Sequence, residues 1–310
     1  MTSKEFTPRY RFNPSSELEP ERVRKTISPP EEYEDRTGYD VGFINSETAI
    51  QLPVLSTARL ADVASYEWKG KRTHVLDYVH FSTVVSMSRR MPMFSACNID
   101  GASWVNVKRN DDWKYDPRIS KEYQELEGPY GNQKDGYFSR GHMTRRQDPD
   151  WGGKKVAALA DQDTFHATNA APQVQSFNGG LWGKIEDYVL KNCDKDNMRI
   201  SVFTGPIFDD SDPEMFDMKI PLQFWKVIAF IDDESKTLRA TGYVSSQAEA
   251  VGGLKPTFVF GQFQHQQRPL AAIEALAQLS FGDLKSYDVL QQASESFASA
   301  LHDVRDIMLS

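Results

Sequence analysis

Runs dense in β-branched and aromatic residues punctuate the middle of this 310-residue chain, at positions 73–87, 103–107, 198–203, 224–231 and 238–244. Short runs of that composition predict the strands of a largely antiparallel sheet. Helical spacing replaces the strand pattern at three places. Leu181, Ile185, Tyr188 and Val189 recur along one face and predict an amphipathic helix from Gly179 to about Asn192, with Asn178 near its N-cap. Positions 270–279 and 286–308 predict two further helices, the first closing the core. The last of them carries Leu290, Ala293, Phe297, Ala300, Leu301 and Val304 along one stripe, a surface that can equally pack on a partner. The fold class expected is α+β, a central, largely antiparallel β-sheet flanked by helices.

The first forty residues show no sustained hydrophobic period. They hold seven basic and nine acidic side chains together with Pro8, Pro14, Pro20, Pro29 and Pro30, the composition of a solvated arm. Phe6, Tyr10, Phe12 and Tyr33 give that arm the means to dock on the body or on a second subunit. The expected organisation is a polar N-terminal arm at 1–40, one main domain at 41–290 and a C-terminal helix at 291–310. There is no internal repeat or low-complexity tract.

Composition narrows the class further. A hydrophobic content of 39% with 12% aromatic residues suffices for a substantial core. No apolar run approaches the length of a membrane span, and residues 1–21 are polar where a signal peptide is apolar, so a cytoplasmic protein without a membrane partner is expected. Cys97 and Cys193 are too few and too far apart to suggest a disulfide scaffold or a zinc cluster, and read as buried thiols in a reducing compartment. The net charge of −8 argues against a chain that coats nucleic acid. Locally the balance reverses: between Lys134 and Ala160 six basic residues (Lys134, Arg140, Arg145, Arg146, Lys154, Lys155) face three acidic ones. An acidic body around a basic cleft suits an enzyme that must release an anionic product.

The basic stretch brackets the chain's most informative residues, Ser139-Arg140-Gly141-His142, with Asn178 following in Phe177-Asn178-Gly179-Gly180-Leu181-Trp182. An imidazole titrates near neutral pH and can take a proton from water. An amide oxygen can hold a hard cation, and planar guanidinium forks match phosphate oxygens. Together these are the parts of a one-metal phosphodiesterase.

Further blocks stand in order along the chain: His80-Phe81-Ser82, Asn98-Ile99-Asp100-Gly101, Arg109 ahead of Trp113-Lys114-Tyr115-Asp116-Pro117, Asn169-Ala170-Ala171-Pro172-Gln173 and Phe203-Thr204-Gly205-Pro206. With these blocks the chain resembles, over roughly residues 40 to 290, the DNA/RNA non-specific endonucleases of the ββα-metal type, the endonuclease G-like family. Its usual motif is Asp-Arg-Gly-His, and Ser139 stands here in place of the aspartate.

The resemblance implies a ββα-metal active-site motif and a role for each residue. His142 is the general base and Asn178 the direct ligand of Mg²⁺, with Mn²⁺ able to substitute. Glu186, two turns beyond Asn178, hydrogen-bonds a water of the ion. Arg109 stabilises the transition state, with Lys108 as a register alternative, and Arg140 lies beside the base. Asn169 positions the loop before the metal helix. Arg145 and Arg146 either grip flanking phosphates or are merely solvated, and Asn178 has the plainer alternative of capping its helix. Ser139 supplies one hydroxyl and no charge, so weaker metal affinity or a shifted pH optimum is expected of it, with Asp135 near enough to compensate.

The implied activity is Mg²⁺-dependent, sugar-non-specific endonucleolytic hydrolysis of DNA and RNA leaving 5′-phosphates. Every contact proposed is to phosphate, metal or water, and none requires a base edge or a 2′-hydroxyl. Three alternatives stand beside it. One is a catalytically weakened nuclease fold that only binds nucleic acid; another is a gated effector subunit with an inhibitor or regulatory partner, or acting as a homodimer. The third, a zinc-dependent HNH-type enzyme, would need more metal-binding His or Cys than His166 alone provides.

Overall fold

Ten consecutive buried residues, Met91–Asp100, form the longest strand, buried on both faces although the segment contains Pro92, Ser95 and Asn98. The structure, a computed structural model, describes residues 22–24, 27–44, 48–132, 137–174, 177, 198–248, 251, 265–303 and 306–308. In chain order, the elements that position the site are β1 (Arg22–Val23), β2 (Leu76–Asp77), β3 (Phe81–Ser86), β4 (Met91–Asp100), β5 (Asp112–Trp113), β6 (Ser139–His142), α1 (Lys154–Thr164), β7 (Ala170–Gln173), β8 (Arg199–Ile207), β9 (Gln223–Ile231), β10 (Leu238–Ser246), β11 (His265–Arg268), α2 (Leu270–Ala277) and β12 (Ser299–Ala300).

Eight of these strands make one sheet in the order β12-β11-β10-β9-β8-β4-β3-β2, antiparallel at every pairing. The fold is α+β with a large antiparallel sheet and few helices among the described residues. Phe94, Phe203, Phe224 and Trp225 pack with Leu270 and Ile273 of α2 in one core cluster. A second contains Phe81, Cys97, Ile99, Val202, Ile228 and Tyr243. With apolar layers on both sides, the central strands are buried throughout rather than alternately, which is why 224–231 reads as a near-continuous apolar run.

Several expectations require correction. The helix expected at 286–308 is absent: a 3-10 turn spans Gly282–Tyr287, and Ser299 and Ala300 pair with Gln267 and Gln266 as the edge strand β12. The open edge at β11 captures this segment, burying Leu301 and bonding Met308 to the Gln267 side chain, so tertiary pairing overrides the helical stripe. The strand expected at 103–107 is a 3-10 turn at Gly101–Ser103 followed by an isolated Trp104–Trp151 bridge. The predicted helix at 179–192 lies outside the described residues.

The end of the expected arm is docked, not solvated. Tyr33 is 2% exposed, and its hydroxyl lies 2.7 Å from His166 Nε2. His166 Nδ1 lies 2.7 Å from the Asp163 carbonyl, which can only accept, so Nδ1 carries the proton and Tyr33 donates to Nε2. Arg36 pairs with Asp163 at 2.7 Å, and β1 runs parallel to β5 with Arg24 on Asp112 at 2.8 Å. Phe6, Tyr10 and Phe12 lie outside the described residues. No helix among the described residues is long and apolar enough to cross a membrane.

Candidate active site

Strands β6 and β7 pair as a separate antiparallel ribbon, with His142 opposite Ala170, Gly141 opposite Ala171, Arg140 opposite Pro172 and Ser139 opposite Gln173. Alternation along a strand sends Arg140 and His142 to one face and Ser139 and Gly141 to the other. Gly141 is required on that second face: a Cβ there would lie 2.1 Å from Gln173 Oε1. Gln173 is wholly buried, and neither of its amide atoms has a hydrogen-bond partner among the described residues.

On the first face, His142 sits between two aromatic walls. The Trp113 ring lies 4.8 Å away at 46°, and Phe165 meets it edge-on at 5.1 Å. Its Nε2 is buried and has no hydrogen-bond partner among the described residues. Burial holds the His142 pKa well below an ordinary histidine's, and the positive charges of Arg109, Arg146 and Arg145 push it the same way. The imidazole is therefore neutral at neutral pH, the form that accepts a proton.

The arginines divide by what they touch. Arg109 is 44% exposed in its side chain, pairs with Asp111 and stands over the Phe165 ring at 6.0 Å. Arg146 bonds Asp161 and, at 3.3 Å, the Val107 carbonyl, so the loop after β6 is tied both to α1 and to the segment that carries Arg109. Arg140 turns aside from the histidine. Its Nε donates to the Leu126 carbonyl at 3.0 Å, and its guanidinium covers Tyr130 and Trp113 at 5.2 and 5.9 Å. Arg145 is half-buried.

Asn169 is fully engaged with backbone. It accepts from Thr144 N at 2.8 Å and donates to the Thr144 and Thr164 carbonyls at 2.9 and 3.0 Å, holding the ends of the β6–β7 connection together. Ser139 is half-buried on the reverse face, away from the imidazole. Asn178, Glu186 and Asp135 lie outside the described residues, as does Lys134. His166, buried with both nitrogens bonded, is structural.

Two carboxylates escaped the sequence reading. Asp161, on α1, pairs with Arg146; burial raises its pKa to about 6 against the pull of that arginine. Asp150 is fully buried with both oxygens unpartnered among the described residues, and burial, with Asp161 nearby, raises its pKa to about 8. No local motif marks either, because the stripe that α1 buries is Ala157, Ala160, Asp161, Asp163 and Thr164, which lacks the apolar signature of an inward face.

A neutral, aromatic-walled imidazole on a two-stranded ribbon and ringed by arginine charge is chemistry for drawing a proton from water beside an anion. The family model for DNA/RNA non-specific endonucleases matches residues 61–288, and the chain belongs to that family. An uncharacterized protein, y4fB, from Sinorhizobium fredii is 42% identical over 236 residues, covering 74% of this chain and 35% of its own length, so the chain spans about a third of that relative. Human mitochondrial endonuclease G is 32% identical over 71 residues, 23% of this chain and 22% of its own. Among solved structures, the EndoG/EndoGI complex matches with a TM-score of 0.52 at 23% identity, over 68% of this chain and 86% of that one, a likeness of fold.

Proposed function

We propose that the chain is a Mg²⁺-dependent, sugar-non-specific endonuclease that hydrolyses phosphodiester bonds in DNA and RNA. The observation that carries this reading is the half-buried His142 imidazole, held neutral between Trp113 and Phe165 beside the charges of Arg109, Arg146 and Arg145. In this role the His142 imidazole accepts a proton from the attacking water, and the Trp113 and Phe165 rings keep it in one orientation. Arg109, the exposed member of the arginine group, meets the developing phosphate charge, and Arg145 contributes to the same field. Arg146 and Arg140 act as positioning residues, since their guanidinium groups are bound to Asp161 and to the Leu126 carbonyl.

The donor types fit a hard cation. The amide oxygen of Asn178 would hold Mg²⁺, or Mn²⁺ in its place, with the Glu186 carboxylate in support. When bound, the ion supplies charge neutralisation at the phosphorus under attack.

A gated form of the same enzyme is the second reading, and one observation favours it: the solved structure of similar fold is the EndoG/EndoGI complex, described as a mechanism of EndoG inhibition. A regulatory or inhibitory partner, or a second copy of the chain, would then control access.

Cleavage of circular plasmid and of single-stranded RNA by purified protein in Mg²⁺, beside His142→Ala and an EDTA control, tests the proposal. Cutting of both substrates that disappears in either control supports it. Cutting that survives His142→Ala overturns the assignment of the base. A folded wild-type protein that does not cut, but becomes active as Ser139→Asp, locates the defect at Ser139; one that remains inactive supports the gate.

A further inference from the structure

Both aromatic walls of His142 hang on one backbone pairing. Lys114 N donates to the Phe165 carbonyl at 2.9 Å, and Ala167 N donates to the Lys114 carbonyl at 3.0 Å. Trp113 and Phe165 therefore enter side by side, and their rings meet edge-on at 5.3 Å. Phe165 is wholly buried and is the residue on which α1 ends, with its N–H on the Gln162 carbonyl at 3.3 Å. Where its ring points is set by the backbone leaving the helix. His166, the next residue, fixes that exit by returning its side chain to the Asp163 carbonyl at 2.7 Å.

The His166 imidazole needs a second partner. It is wholly buried, and with the proton on Nδ1 its Nε2 can only accept. The donor is the Tyr33 hydroxyl at 2.7 Å, from 133 residues earlier in the chain. Tyr33 is itself held, with the Arg118 guanidinium 4.4 Å above its ring and Tyr78 edge-on at 6.2 Å. Arg36, three residues on, grips the Asp163 carboxylate through Nε at 2.7 Å, and Val79 N donates to the same oxygen at 3.1 Å. On the other wall, Arg24 N donates to the Trp113 carbonyl at 2.7 Å. Arg24, Tyr33 and Arg36 thus hold both walls from behind.

We infer that Tyr33 is a positioning residue for the His142 base: by filling the acceptor of His166 it fixes the helix exit from which Phe165 closes on the imidazole, with Arg36 bracing the same exit through Asp163. This rests on the reading of His142 as the base. A phenylalanine fills the same space as Tyr33 but offers no donor. A buried acceptor left unfilled is costly and is relieved by turning His166 toward another donor, which carries the backbone of Phe165 with it.

Tyr39, six residues beyond Tyr33, supplies a matched control. It too is buried; its hydroxyl donates to the Ile50 carbonyl at 3.1 Å and its ring lies 5.4 Å from Phe203 on β8, and neither contact is on residues 113–114 or 163–167. The experiment records ¹H–¹³C spectra of the histidine ring protons, and plasmid cleavage in Mg²⁺, for wild type, Tyr33→Phe, Tyr39→Phe and His142→Ala. The last variant identifies the His142 signal by its loss. That signal lies in the ring currents of Trp113 and Phe165, so it reports the walls directly. Tyr33→Phe is expected to displace the His142 signal and to lower kcat roughly 10-fold, a fraction of the ~10²–10⁴-fold that a positioned base supplies, with KM within about twofold. Tyr39→Phe is expected to leave the His142 signal in place and kcat within about twofold of wild type. A His142 signal that Tyr33→Phe does not move, or a loss of cleavage no larger than Tyr39→Phe causes, overturns the proposal. Cleavage that survives in His142→Ala overturns instead the base assignment beneath it. If Tyr33→Phe does not fold, Arg36→Lys, which keeps the charge beside Asp163 and loses the planar fork, is read by the same spectra against the same control, and a displaced His142 signal is again expected.

Discussion

The indole of Trp113 and the imidazole of His142 lie 4.8 Å apart, and the indole Nε1 beneath this contact has no hydrogen-bond partner. Trp113 is wholly buried, so its role is to fill and to orient. Trp113→Ala is expected to destabilise the protein by about 3–5 kcal/mol and to lower cleavage by freeing the imidazole. Trp113→Phe retains a ring and removes an orphaned donor, so a cost under about 2 kcal/mol is expected. Chemical denaturation beside cleavage rates checks both; equal losses in the two variants would contradict the account.

The charge around His142 makes a pH prediction. Arg146 is one of the cations that hold this pKa down, and a lower pKa keeps the base deprotonated to lower pH. Arg146→Gln removes that charge and releases the Asp161 carboxylate, and both changes raise the His142 pKa. The acid limb of kcat/KM therefore moves to higher pH, toward the ordinary histidine value of about 6.5. A limb that stays in place or moves down would sink the assignment.

Asp150 gives a stability prediction of definite sign. Its folded pKa, about 8, lies above the ordinary 3.8, so the folded state holds a proton that the unfolded chain releases. That contribution is complete below pH 3.8 and is lost as pH rises toward 8. Asp150→Asn does not titrate, so its Tm relative to wild type is expected to climb from pH 5 to pH 8 and then level off. A constant difference across that range would show that Asp150 is ionised in the fold.

Gly141 admits no side chain while Gln173 lies across it. Gly141→Ala is expected to destabilise the protein by about 1–3 kcal/mol, and Gln173→Ala in the same chain to recover part of that loss. A double-mutant cycle by denaturation measures the coupling; strictly additive effects would show that the two do not clash.

The parts of this molecule that declare themselves locally were legible in its sequence. The apolar runs of β9 and β10 and the short helix α2 stand where their patterns put them, and Ser139–His142 is the strand on which the ribbon is built. What escaped depends on long-range contact. β4 hides behind Pro92, which occupies the irregular pairing beside Val84 and Val85. α1 buries Asp161 and Asp163 because arginines from other segments, Arg146 and Arg36, meet them. Arg140 and Arg146 look alike in sequence, and only the folded chain shows one bound to a carbonyl fourteen residues back and the other to a carboxylate fifteen ahead.

The docked stretch before residue 40 changes what counts as the working unit. The family match begins at residue 61, but β1 lies along the strand that carries Trp113, and Arg36 neutralises a carboxylate three residues before His166. A fragment trimmed to the matched boundaries would expose the edge of β5 and strand Asp163 in the interior without its counter-ion. Expression designs, limited proteolysis and fusion points are therefore best placed ahead of Arg22, because a break between there and Tyr39 reaches the strand of Trp113, whose ring packs on His142, although the stretch lies far from His142 in sequence.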